Sequence, residues 1–174
     1  MKNQHFKIKS VLIILGFVLL SNNLIAQNPI KLSDFLVAST ISETTYPIQQ
    51  LSRGVVPTVY LTQGVISIVD PGIQPIRVIT DIASLSQLCI QNTQFENVEL
   101  ILIQIENESD MNWSLNPNSL SQFENLQYIY ISSSIPLCDP SNGNSNCEKE
   151  KIISFLSGEL CSSITLVYSS EVSE

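Results

Sequence analysis

Polypeptide chemistry needs a nucleophile, a base, a metal ligand or a charged cradle, and this sequence is short of most of them. Its one histidine is His5, close to the amino terminus, so the chain beyond residue 26 has no imidazole to act as a base, to partner a serine or cysteine, or to hold a metal. Histidine-paired serine and cysteine hydrolases and most catalytic zinc sites are excluded on that ground. Serines are frequent, but Ser157-Gly158 lacks the preceding glycine of a nucleophile elbow, and no glycine pattern suits a phosphate. The carboxylates include no pair set apart by spacing or by an apolar setting, so a carboxylate-based hydrolase is a distant alternative. Trp113 and Tyr128 have the chemistry to stack on a sugar, and packing is the simpler role for isolated aromatics. The sequence predicts no catalytic residue, no metal and no cofactor.

Four cysteines, Cys89, Cys138, Cys147 and Cys161, are the remaining reactive groups. They allow three pairings. Cys138 and Cys147 bracket Asp139-Pro140-Ser141-Asn142-Gly143-Asn144-Ser145-Asn146, which is nearly all turn residues, so a bridge closing this loop is expected. Cys89 with Cys161 is then the pair left by subtraction. Their spacing is not that of zinc knuckles, and the Asp/Asn-rich loop does not place its glycine and acid as a calcium loop does.

A disulfide needs an oxidising compartment, and the amino terminus supplies the address. Lys2, Lys7 and Lys9 precede an apolar run from Val11 to Leu20, and Leu24-Ile25-Ala26 ends the segment. This is the layout of a signal peptide over residues 1–26, with cleavage expected after Ala26 and export to a periplasmic or extracellular location. The apolar run is about half what a bilayer span needs, so no stable membrane insertion is expected after cleavage. Loss of the three lysines leaves five basic residues against sixteen acidic ones, a net charge of −11. Such a surface repels nucleic acid.

Residues 27–174 are sized for a single α/β domain, read as an amino-terminal cap (27–75) and a repeat-like region (76–170). In the cap, Leu32 to Thr40 is a short helix or strand and Thr44 to Gly54 is loop-like. Thr58 to Thr62, Gln63-Gly64 and Val65 to Val69 read as a β-hairpin. Beyond it, Ile76 to Ile79 is a candidate strand and Asp81 to Cys89 a candidate helix. Gln94-Phe95-Glu96-Asn97-Val98 recurs 28 residues later as Gln122-Phe123-Glu124-Asn125-Leu126, and each copy runs into an apolar strand. A weaker third unit has a helix-like stretch from Glu148 to Leu160, then Ile164 to Ser169. Repeated helix-strand units imply a short parallel sheet.

The segment Pro117 to Ile131, with apolar residues at Leu120, Phe123, Leu126, Ile129 and Ile131, resembles a leucine-rich repeat unit, and Val98, Ile101 and Ile103 fill the same slots one unit earlier. The resemblance spans about residues 80–170. In that family an asparagine after the strand donates to neighbouring turns; here Glu106 and Ser134 hold those slots. Aligning the three units sets three rows on the opposite strand face: Leu100, Tyr128 and Leu166; Leu102, Tyr130 and Tyr168; Gln104, Ser132 and Ser170. Left open, this face has the composition of a protein-binding patch, and all of these residues except Ser170 are the eight candidate binding residues: Leu100, Leu102, Gln104, Tyr128, Tyr130, Ser132, Leu166 and Tyr168. The expected function is an exported, non-enzymatic module for protein-protein recognition. The alternative is a structural or accessory envelope domain with a closed core that self-associates, and burial of the tyrosines would favour it.

Overall fold

The computed structural model describes residues 28–39, 48–69, 71–139 and 146–170. Residues 1–26, where a signal peptide is expected, lie outside the described residues, as does most of the loop between Cys138 and Cys147. Among the described residues seven strands form one sheet: β1 (Ile30–Lys31), β2 (Thr58–Thr62), β3 (Val65–Ile68), β4 (Arg77–Asp81), β5 (Leu100–Ile105), β6 (Tyr128–Ser133) and β7 (Thr165–Ser170). Their order is β1-β7-β6-β5-β4-β2-β3, and every neighbouring pair is parallel except the β2/β3 hairpin. The hairpin belongs to the main sheet, since β2 pairs along β4. The fold is thus α/β with a mostly parallel sheet.

β5 and β6 are near-continuous apolar runs because both of their faces are covered. On one face Ile101, Ile103, Ile129 and Ile131 join Val59, Leu61 and Val78 in the larger core. Short 3-10 helices supply the opposing layer over Ile82–Cys89, Thr93–Phe95 and Pro117–Leu120. Each has an Asp or Asn cap, at Asp81, Asn92 and Asn116, whose side chain accepts a backbone N–H of the first turn. Candidate helix 81–89 is therefore a 3-10 helix starting one residue later.

The 28-residue repeat is visible as contacts between its copies. Leu100 registers with Tyr128, and Phe95 stacks on Phe123 with ring centroids 5.0 Å apart. Gln122 accepts the Asn92 N–H at 2.9 Å and donates to the Leu88 carbonyl, while Asn125 donates to the Glu96 carbonyl at 2.8 Å. Ser134, in the slot after β6, donates to the carbonyls of Ile105 and Glu106, both at 3.3 Å.

The other face is closed by two helices from the amino-terminal region, α1 (Leu32–Ser39) and α2 (Ile48–Arg53). α1 lies against β7, and α2 against β5. Leu32, Ile48 and Leu51 pack there on Leu100, Leu102, Tyr128, Tyr130 and Val167. The stretch read as loop from Thr44 to Gly54 thus contains a helix. Arg77 holds it down: its buried guanidinium donates to the Leu51 carbonyl at 2.7 Å, the Ser52 carbonyl at 3.1 Å and Thr58 Oγ1 at 3.0 Å. The last helix, α3 (Cys147–Ser154), is shorter than the Glu148 to Leu160 expectation; after it Leu156 forms an isolated bridge with Leu115.

Candidate functional site

The structure divides the eight candidate binding residues between two faces. Leu100, Leu102, Tyr128 and Tyr130 share one face, and all four are buried beneath α1 and α2. Phe35 of α1 meets Tyr128 edge-on at 6.0 Å, and the Tyr130 hydroxyl is 2.7 Å from Ser169 Oγ. Gln104 is exposed and Ser132 half-buried at the carboxyl end of the same row. Leu166 and Tyr168 are elsewhere. β6 pairs Tyr128 with Thr165, Tyr130 with Val167 and Ser132 with Ser169, so Leu166 and Tyr168 face the larger core. The third unit is thus one residue out of step with the rows expected from the sequence, and one step in a strand moves every side chain to the opposite face. Leu166, Val167 and Tyr168 are all buried, so alternation gave no cue to the register. The strand face is core, not a surface open to a partner.

The cysteine expectation holds for one pair. Cys138 and Cys147 form a disulfide, with Cα atoms 6.2 Å apart. Cys89 and Cys161 are free and exposed, which corrects the subtraction argument. Both flank the Pro117–Leu120 turn: Cys89 Sγ is 3.1 Å from Ser119 Oγ, and Cys161 lines a shallow groove with Pro117 and Asn118. A hydrogen bond from the Ser163 hydroxyl, aided by backbone N–H groups, holds the Cys161 thiol below its ordinary pKa. Trp113 stacks on Phe155 at 4.7 Å and serves packing. Among the described residues no cluster of three or more acidic, cysteine or histidine side chains could hold a metal ion, and no helix is long and apolar enough to cross a membrane.

The feature that sequence reading missed is an edge. At one end of the sheet β1 is two residues long, and its Lys31 forms an ion pair with Glu148 at 3.2 Å. A short, charged strand is how an edge is kept from pairing with other chains. At the opposite end β3 has no such guard. Among the described residues no strand covers its outer side, and no charged residue occurs from Gly54 to Val69. Val65 is 63% exposed, Ile66 41% and Val69 73%.

Its hydrogen-bonding groups follow from the turn. Gln63 and Gly64 have φ of 53° and 76°, the two positive values of a type I′ loop, which makes Thr62 and Val65 a hydrogen-bonded pair. Alternation along the ladder then turns the N–H and C=O of Ile66 and Ile68 outward, away from β2. Beyond the β2/β4 ladder, two contacts tie the hairpin's turn to the sheet: Gln63 N–H donates to Asp81 Oδ2 at 2.8 Å, and Gly64 N–H to Ser84 Oγ at 2.8 Å. Beside the edge, Ile68, Pro71, Ile73 and Pro75 line a notch of about 110 Å³ together with Gly72, Gln74 and Gln94. An open row of backbone groups next to a side-chain notch is the equipment of strand addition. The sequence signal was present in the uncharged stretch that holds the hairpin. No protein-family model matches this chain, and neither the curated proteins nor the solved structures compared with it include a match.

Proposed function

We propose that the protein is an exported, non-enzymatic accessory module with a closed core, which binds other polypeptide by adding a strand to the outer edge of β3. The observation that carries this reading is the contrast between the two sheet edges: β1 is short and charged, β3 is apolar and unguarded. Burial of Leu100, Leu102, Tyr128 and Tyr130 moves recognition away from the strand face and toward the edge. The lysine-rich, apolar amino terminus and the Cys138–Cys147 disulfide support export. The 28-residue register and the hydrogen bonds of Gln122, Asn125 and Ser134 between turns support a leucine-rich-repeat-like origin for the sheet. The ligand is an extended, uncharged apolar segment, because the edge offers backbone groups and a notch but no charge.

Selection of unstructured peptides from a random library on the immobilised wild-type protein, with Ile66→Lys as counter-bait, tests the reading. Peptides retained by wild type should be lost on Ile66→Lys and should slow amide exchange at Ile66 and Ile68 when bound. Peptides that bind both baits equally, or leave those two amides exchanging freely, overturn it.

A further inference from the structure

The β3 edge is its own complement. Val65-Ile66-Ser67-Ile68-Val69 reads the same in both directions, with Ser67 at its centre. A two-fold axis between antiparallel strands sets residue i of one strand against residue j of the other and j against i, and the palindrome makes every such mate a residue of the same type, Ile on Ile and Val on Val. We infer that the strand received by β3 is the β3 of a second copy of this chain, paired antiparallel about a two-fold axis through Ser67. The inference rests on the strand-addition reading above and names its occupant.

The geometry of the single chain supports this register. With the axis at Ser67, Ile66 faces Ile68 of the second copy and Ile68 faces its Ile66. These are the two residues whose N–H and C=O groups turn outward, so both pairs become hydrogen-bonded pairs and every outward group finds a partner. Ser67 meets its own counterpart as a non-hydrogen-bonded pair, where side chains come closest and a small residue fits. On the face of Leu61 and Val59, each Ile66 comes to lie beside the other copy's Ile68, which lines the notch with Pro71, Ile73 and Pro75. That placement extends the larger core, against which Ile68 already packs, across the two copies. On the opposite face the exposed Val65 meets the exposed Val69.

Electrostatics select the same place. The chain carries a formal net charge of −8, so two copies repel over most approaches. The run from Gly54 to Val69 has no charged residue, so the paired strands from Val65 to Val69 set no like charges against each other. A one-residue shift in register would set Ile66 against Val69 and Ser67 against Ile68, leaving the outward groups out of phase.

Sedimentation velocity and site-specific crosslinking test the inference on the full chain. Wild type is expected to sediment as a dimer at micromolar concentration, and Ile66→Lys as a monomer with an unchanged urea midpoint. In a Cys89→Ser, Cys161→Ser background, Ser67→Cys should form an intermolecular disulfide in oxidised glutathione, since about 4.5 Å between Cα atoms in a non-hydrogen-bonded pair is within disulfide reach. Val65→Cys in that background should not crosslink, because its mate is residue 69. A monomeric wild type that still takes up library peptides at β3 overturns the second-copy inference and leaves strand addition standing. A dimer in which Ser67→Cys fails to crosslink, or Ile66→Lys remains dimeric, also overturns it, and places the contact on another surface.

Discussion

Tyr130 shows how one side chain can report on a whole face. Its ring lies in the layer between the sheet and the amino-terminal helices, and its hydroxyl meets Ser169 at 2.7 Å. Removing the hydroxyl alone leaves the packing in place, so Tyr130→Phe should cost about 1 kcal/mol, the net worth of a hydrogen bond. Removing the ring opens a cavity under α1 and α2, and Tyr130→Ala should cost about 3 to 5 kcal/mol. Ile129→Ala, on the opposite face, should cost about 2 to 5 kcal/mol for the same reason. Urea unfolding of the three variants measures these values. A Tyr130→Ala protein as stable as wild type would mean that the face is open to solvent and that α1 and α2 do not close it.

The β2/β3 hairpin is positioned by one carboxylate. Asp81 accepts from the Gln63 N–H in the turn and from the Ser84 N–H that begins the 3-10 helix, so it ties hairpin, strand and helix together. Partial burial alone would raise its pKa; the Ser84 side chain and the two backbone N–H groups outweigh that effect and hold the carboxyl below its ordinary value. A depressed carboxyl stabilises the fold above the ordinary carboxylate pKa, and that contribution is lost as pH falls through the lower folded value. Stability should therefore drop below about pH 4, and the drop should be smaller in Asp81→Asn, as read from urea midpoints at pH 7 and pH 3. An equal acid loss in the two proteins would assign it to other carboxylates. The hairpin itself was legible in sequence, because Gln63-Gly64 between two β-branched runs is a local signal. The parallel strands were legible too, through the repeat of Gln-Phe-Glu-Asn. Their covering was not: α1 and α2 are short, lie far from β5 to β7 in sequence, and depend on Arg77 and apolar contacts across the sheet rather than on local propensity. The register of β7 was hidden for a related reason, since burial of both faces erases alternation.

For the whole molecule, the two ends of the sheet follow opposite rules. β1 ends it with two residues and a Lys31–Glu148 pair, and Ser170 donates to the same carboxylate, so the strand is short and its charge is engaged there. β3 ends it with four residues, a palindrome that continues to Val69, and no charge. Growth by strand pairing is thus directed to one end, and a two-fold contact there closes the assembly at two copies instead of continuing into a fibre. The association should have a definite salt response. Each copy is acidic, the contact itself is uncharged, and the repulsion between copies acts through solvent, where salt screens it. The dimer dissociation constant should therefore fall as sodium chloride is raised from low to physiological concentration, which sedimentation equilibrium at two salt concentrations measures. A contact built on opposed charges gives the reverse slope, because screening weakens attraction as it weakens repulsion. A dissociation constant that rises with salt would place acidic and basic side chains across the interface and rule out the uncharged β3 edge as its centre.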